Sequence, residues 1–254
     1  MGYLPSARLI IIVGNYGSGK TEIAVNLATA LRKSGKTVHI ADLDIVNPYF
    51  RCREAREMME NMGIRVVIPP GAQQYADLPI VVPEIRGMLE PQGDAVSIFD
   101  VGGDDVGATL LSSFVESLGD KPYKLLQVIN SKRPFTNTLP GCVKMKNSIE
   151  RASRLRVGGF IVNSHLIQET TPEVVVQGYR LAEEVSQKTG VKVEFVAVME
   201  ELANAPEIQA LDAEILEIKR IMLPPWLRFG EKSDSSVGET NDVPAGRVKP
   251  IFRP

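Results

Sequence analysis

The stretch IIIVGNYGSGKTEIAVNLATAL, residues 10–31, decides the fold. Its β-branched start reads as a buried strand and its end as an amphipathic helix, with a glycine-rich loop between them. The loop matches G-x-x-x-x-G-K-[ST] at Gly14, Gly19, Lys20 and Thr21, with Asn15, Tyr16, Gly17 and Ser18 as the residues enclosed. Glycines let successive backbone N–H groups converge on a phosphate with no Cβ in the way. The helix that starts near Lys20 adds the positive end of its dipole. In this pattern Lys20 reaches the β- and γ-phosphates of a nucleotide, and the Thr21 hydroxyl is a magnesium ligand. A glycine-rich turn with no ligand is the bland alternative, and the full pattern between a strand and a helix weighs against it.

Working outward, short Val/Ile/Phe-rich runs alternate with stretches of helical periodicity. That is the sequence form of an α/β fold: a single-domain, doubly wound, mostly parallel sheet with helices on both faces. Strands are expected at 8–13, 37–41, 65–68, 95–99, 124–129, 158–162 and 192–198. Helices are expected at 20–33, 51–61, 83–89, 107–118, 136–151, 172–188 and 213–222. The 254 residues, 44% hydrophobic, suffice for one such domain over 1–223, and the Gly/Ser/Asp/Pro-rich remainder, 224–254, reads as a flexible tail. A formal net charge of -2 with dispersed acids and bases offers no basic stripe for nucleic acid and no polybasic membrane anchor. The apolar run at 9–13 is too short to cross a bilayer and follows nothing like a cleavable signal, so a cytoplasmic protein is expected. Cys52 and Cys142 lie far apart, outside any CxxC pattern, and suggest neither a disulfide framework nor a zinc site.

Ligands of an open parallel sheet sit beyond the carboxyl ends of its strands. After the second expected strand, ADLDIVNPYFR carries Asp42 and Asp44, two apart and able to share a face. One carboxylate would orient an attacking water and the other support magnesium; Asp42 reads equally as a cap on the next turn. After the fourth, SIFDVGGDDVGA has the form of a Walker B acid, Asp100, joined to a D-x-x-G switch. Asp100 would hold magnesium through water, and the Gly103 amide would sense a γ-phosphate. The fifth and sixth strands end in Asn130 and Asn163, either of which can pair with an adenine edge or make a turn; the later strand favours Asn163. His39 and His165 read as structural or solvent-facing.

Taken together, GNYGSGKTEIAVNLATAL, HIADLDIVNPYFR, IFDVGGDDVG and FIVNSHL, in that order, resemble a MinD/ParA-type P-loop ATPase of the CobQ/CobB/MinD/ParA nucleotide-binding superfamily. The resemblance implies Lys20 and Asp44 as catalytic residues, Asp44 as the switch I acid that positions water, Asp100 as the Walker B acid, and Asn163 as the adenine contact. It implies ATP and Mg2+ as cofactors. One departure stands out: the signature lysine of that group, directly after the first loop glycine, is Asn15 here, and Tyr16 follows where a glycine is usual. A neutral amide does not neutralise charge on a γ-phosphate as an ammonium does. Arg51, Arg53, Lys132 and Arg133 are the candidate substitutes.

The leading functional expectation is an ATP/ADP-dependent switch that forms a homodimer or binds a protein client in its ATP state. Tyr49 and Phe50 would lie on such a face or pack beneath the next helix. The alternative is an ATP-dependent synthetase of the dethiobiotin/cobyrinate kind, with residues 69–84 building a pocket for a small-molecule substrate.

Overall fold

The computed structural model describes residues 4–44, 55–68, 83–102, 107 and 111–222. These belong to one compact unit, Met1–Met222, and the expected tail, Trp226 included, lies outside the described residues, as do Tyr49, Phe50, Arg51, Cys52, Arg53, Gly103 and most of the 69–84 segment.

Eight strands form one sheet: β1 (Leu9–Gly14), β2 (Val38–Leu43), β3 (Arg65–Val67), β4 (Val96–Val101), β5 (Lys124–Ile129), β6 (Val157–Val162), β7 (Val193–Met199) and β8 (Ile215–Ile218). Their spatial order is β3-β2-β4-β1-β5-β6-β7-β8, and every neighbouring pair is parallel. Helices α1 (Lys20–Lys33), α2 (Arg56–Asn61) and α3 (Pro83–Met88) accompany the first half. The helices Leu139–Ser153 and Pro172–Thr189 accompany the second.

The strands are continuous apolar runs because both sheet faces are covered. In β1, Leu9, Ile11 and Val13 enter one core with Cys142 and Ile149 of the Leu139–Ser153 helix and Val175, Tyr179 and Ala182 of the Pro172–Thr189 helix. Ile10 and Ile12 enter the other, with Ile23, Leu27 and Leu31 of α1. The period of two in the strand and of four in the helix fits each element to its neighbour. Each of these fully buried aliphatic side chains stabilises the fold by about 1.5–3 kcal/mol. Cys142 belongs to this core, and burial pushes its thiol up to about 12, which makes it an inert apolar filler.

One expected helix is a strand. Residues 213–222 contain β8, which pairs with β7 from Val196↔Ile215 to Met199↔Ile218. Leu216 and Ile218 face the core while Glu217 faces out, so the true period is two. The helix expected at 51–61 is described from Arg56 onward, and that expected at 107–118 ends in the short Val115–Leu118 helix. The chain runs from β1 outward to β2 and β3, returns through β4, then builds the other half from β5. The strand order therefore reverses beside β1, and the crevice of such a sheet opens there.

Candidate functional site

The phosphate loop occupies that reversal. Gly14, which ends β1 in register with Val128 of β5, has φ +148°, and a Cβ on it would lie 2.8 Å from the Val128 carbonyl. Gly19 caps α1 with φ +88°, and a Cβ there would overlap the Asn163 amide. Both positions need glycine for conformation and for space. Between them Ser18 N donates to the Asn15 carbonyl at 3.2 Å, and Ile23 N to the Gly19 carbonyl at 3.0 Å begins the helix.

Outside donors hold two more of the loop's carbonyls. Asn163 Nδ2 donates to Ser18 O at 2.8 Å and Arg133 Nε to Gly17 O at 2.9 Å. Across a trans peptide the N–H opposes the carbonyl, so the bond to Ser18 O leaves the Gly19 N–H directed away from Asn163. Lys20 is buried and folds back so that Nζ donates to Asn15 O at 3.0 Å. Asn15 itself turns away: Nδ2 donates to Pro134 O at 2.7 Å, and Oδ1 accepts from Tyr16 N at 2.8 Å.

Asp100 lies beside the loop at the end of β4, with Ile12 of β1 on one side and Asp42 of β2 on the other. Both acids are buried. Burial first, then the charge of Asp42, pushes the Asp100 carboxyl up to about 7, against the Thr21 hydroxyl and the Lys20 ammonium, which favour ionisation; Asp44 adds a smaller upward push. Thr21 is near enough to act on Asp100, yet neither Asp100 oxygen has a hydrogen bond of ordinary geometry among the described residues. Asp44 is half-buried, its N–H donating to Asp42 Oδ1 at 3.0 Å. Lys20, Thr21, Asp42, Asp44 and Asp100, chosen from three separate motifs, thus converge on one place. The buried Asp100 carboxylate, the adjacent Thr21 hydroxyl and the glycine loop suit a divalent cation beside a polyphosphate.

Asn163 is buried beneath the loop, where its amide supports Ser18. Asn130 is also buried and organises the chain after β5: its Oδ1 accepts from Lys132 N at 2.9 Å, and its carbonyl accepts from Thr136 Oγ1 at 2.9 Å. Sequence reasoning missed His165 as a neighbour of the loop. Burial, then Arg133 and Arg220, lowers His165 to about 4, so it stands neutral next to Gly19. A second missed contact joins α1 to the chain after β8. Glu22 accepts from Ile221 N at 2.6 Å and Met222 N at 3.1 Å, while Asn26 exchanges bonds with Lys219 through its Oδ1 (2.8 Å) and Nδ2 (2.9 Å). No local pattern records either contact, since each joins segments more than a hundred residues apart.

A strand–glycine loop–helix at the switch point of a parallel sheet, with an acid at the end of the adjacent strand, defines a P-loop nucleotide-binding domain. The chain belongs to the CobQ/CobB/MinD/ParA nucleotide binding domain family, whose profile matches residues 9–210. No curated protein sequence matches it. Among solved structures it is similar in fold to the cell division protein FtsY of Thermotoga maritima, with TM-score 0.54, 21% identity, 79% of this chain and 65% of that one covered. It is also similar to the signal recognition particle receptor FtsY of Elizabethkingia anophelis in complex with GDP, with TM-score 0.52, 21% identity, and 79% and 59% covered. The signal recognition particle 54 kDa protein of Aeropyrum pernix, also in complex with GDP, gives TM-score 0.51, 22% identity, and 76% and 42%. The chain spans less than two thirds of the length of each.

Proposed function

We propose that this protein is a Mg-ATP-dependent switch that hydrolyses ATP and associates, with a second copy of itself or with a protein client, in its triphosphate state. The observation that carries the reading is Asp100: a buried carboxylate whose oxygens lack ordinary hydrogen bonds, next to Lys20 and Thr21. A buried acid so placed is costly unless a cation neutralises it. Thr21 and Asp100 would hold magnesium, which when bound supplies positive charge to the β- and γ-phosphates. Lys20 leaves its carbonyl partner to bind the same phosphates, and the loop amides orient them. Asp44, held by its N–H to Asp42, orients the attacking water. The loop backbone from Asn15 through Tyr16, Gly17 and Ser18 completes the nucleotide cradle, supported by Asn163, with Gly103 sensing the terminal phosphate.

Association is supported by where apolar surface is exposed. Among the described residues the exposed large hydrophobic side chains are Tyr16, Phe135, Leu166 and Ile167. All four follow the carboxyl ends of β1, β5 or β6, on the side of the sheet that holds the loop. Phe135 and Ile167 also have positive φ, +68° and +60°, an uncommon conformation for side chains of their size.

Light scattering on Asp44→Ala, which should retain bound ATP, tests the switch. Mass doubling with Mg-ATP but not Mg-ADP is expected, or, for a client-binding switch, capture of a client only with Mg-ATP. A mass and a binding profile indifferent to nucleotide, with ATP still bound, would refute it and favour the small-molecule synthetase.

A further inference from the structure

We propose that Arg133 binds the terminal phosphate of the nucleoside triphosphate from within the same chain, and that Asn15 is the residue that positions it. The inference rests on the nucleotide-site reading above and adds a residue to it. Lys20 marks which end of the loop faces the terminal phosphate. Its ammonium lies on the Asn15 carbonyl, so the first half of the loop is the γ end. Arg133 lies beside Gly17, two residues further along, and the next residue, Pro134, accepts from Asn15 itself. Arg133 Nε donates to Gly17 O, and its Nε, Cζ and Cδ come within 3.5, 3.6 and 3.8 Å of where a side chain on Gly17 would begin. The guanidinium is therefore laid against bare loop backbone.

Only Nε is engaged there. A guanidinium has five N–H donors, and the four on the terminal nitrogens of Arg133 make no hydrogen bond or ion pair among the described residues. Neighbouring His165 is neutral and does not compete for an anion. The chain carrying Arg133 is firmly placed. Arg133 N donates to Asn130 O at 3.1 Å, Thr136 Oγ1 caps the same carbonyl, and the Asn15–Pro134 bond ties this segment to the loop one residue further on. Lys132 points elsewhere, its Nζ donating to Gln177 Oε1 at 3.0 Å. Asn15 has both ends of its amide occupied, so its contribution is to hold the arginine rather than to touch phosphate. A planar, permanently charged fork suits a terminal phosphate with three non-bridging oxygens better than a neutral amide does.

The test uses the full chain with magnesium and N-methylanthraniloyl-labelled AMPPNP and ADP, the guanine counterparts being run alongside. Arg133→Gln should weaken binding of the triphosphate analogue about 10- to 100-fold while diphosphate affinity changes less than about threefold. Arg133→Lys should recover part of the loss. Asn15→Ala should act in the same direction, and combined with Arg133→Gln it should add nothing, since both changes remove one contact. Thermal melts confirm that each variant is folded. Equal loss for both nucleotides would reduce Arg133 to a support for Gly17 and overturn the proposal, as would no loss for either. If the wild-type chain bound none of the four probes, the nucleotide site itself would fall, and the role of Arg133 with it.

Discussion

Replacing Asp100 with asparagine should stabilise the protein in the absence of ligands at pH 8. Asp100 is raised from 3.8 to about 7 in the fold, by burial and by Asp42. Between those values the folded chain holds a proton that the unfolded chain has released, so stability falls as pH rises through the window and stays low above it. Three pH units at about 1.4 kcal/mol each set a ceiling of about 4 kcal/mol on the cost at pH 8. Asp42, directly opposite in register, can take up part of the shared proton, and removal of a buried charge of this kind returns about 1–3 kcal/mol. In a chain of this size about 2 kcal/mol corresponds to roughly 4–8 °C in Tm. Thermal unfolding of wild type and Asp100→Asn in EDTA at pH 8 and pH 5 provides the comparison. The gap at pH 5 should be less than half that at pH 8, because most of the penalty accrues between pH 5 and 7. A destabilising substitution, or a gap that ignores pH, would refute the argument that Asp100 is held at the cost of stability.

Gly19→Ala meets an obstacle at every level: φ +88°, and a Cβ placed into the Asn163 amide. It should lower stability by about 1–3 kcal/mol in denaturant titrations and abolish nucleotide binding. Glu22→Ala leaves the Ile221 and Met222 N–H groups without their acceptor, at a cost of about 1–3 kcal/mol. Hydrogen exchange should quicken at those two amides while the core of α1 stays protected; unchanged exchange would mean that Glu22 does not hold the chain after β8.

The first third of the fold was legible because its signals are local. Helix 20–33 is observed with the expected bounds, since the left-handed Gly19 that starts it is part of the motif. Lys20, Thr21 and Asp100 were reachable for the same reason: a phosphate loop and a strand-end acid are each written in consecutive residues. β8 was misread because Ile215, Ile218 and Met222 recur at helical spacing while the alternation Leu216–Glu217–Ile218 covers only three residues. The vacant edge of β7 settles the matter, and an edge is a property of the assembled sheet. Arg133 stood among four cations that nothing local could rank; its bond to Gly17 spans 116 positions. Asn15 looked like a defect in the motif, and its partner carbonyl lies 119 positions away.

The two sides of the site differ in what they lack. On the β5 and β6 side, Asn163, Arg133 and Asn15 bind loop to flank through three side-chain bonds, so the phosphate cradle is already shaped. On the β2 and β4 side, Asp42 and Asp100 face each other in register, and burial pushes the Asp100 carboxyl toward neutrality. A preformed cradle contributes affinity with little reorganisation, and so it favours diphosphate and triphosphate alike. A strained carboxylate pair contributes differently: whatever brings positive charge to it recovers the stability it costs. In the proposed switch, the binding energy that distinguishes the two nucleotides comes from the cation at that pair and from Arg133, both directed at the terminal phosphate. Asp100→Asn and Arg133→Gln, 33 positions apart in sequence and on opposite flanks of the loop, should both narrow the preference for triphosphate. If they act on the terminal phosphate independently, one through a cation and one directly, their effects should add within about 0.5 kcal/mol. Strong coupling between them would instead mean that Arg133 reaches the carboxylates themselves.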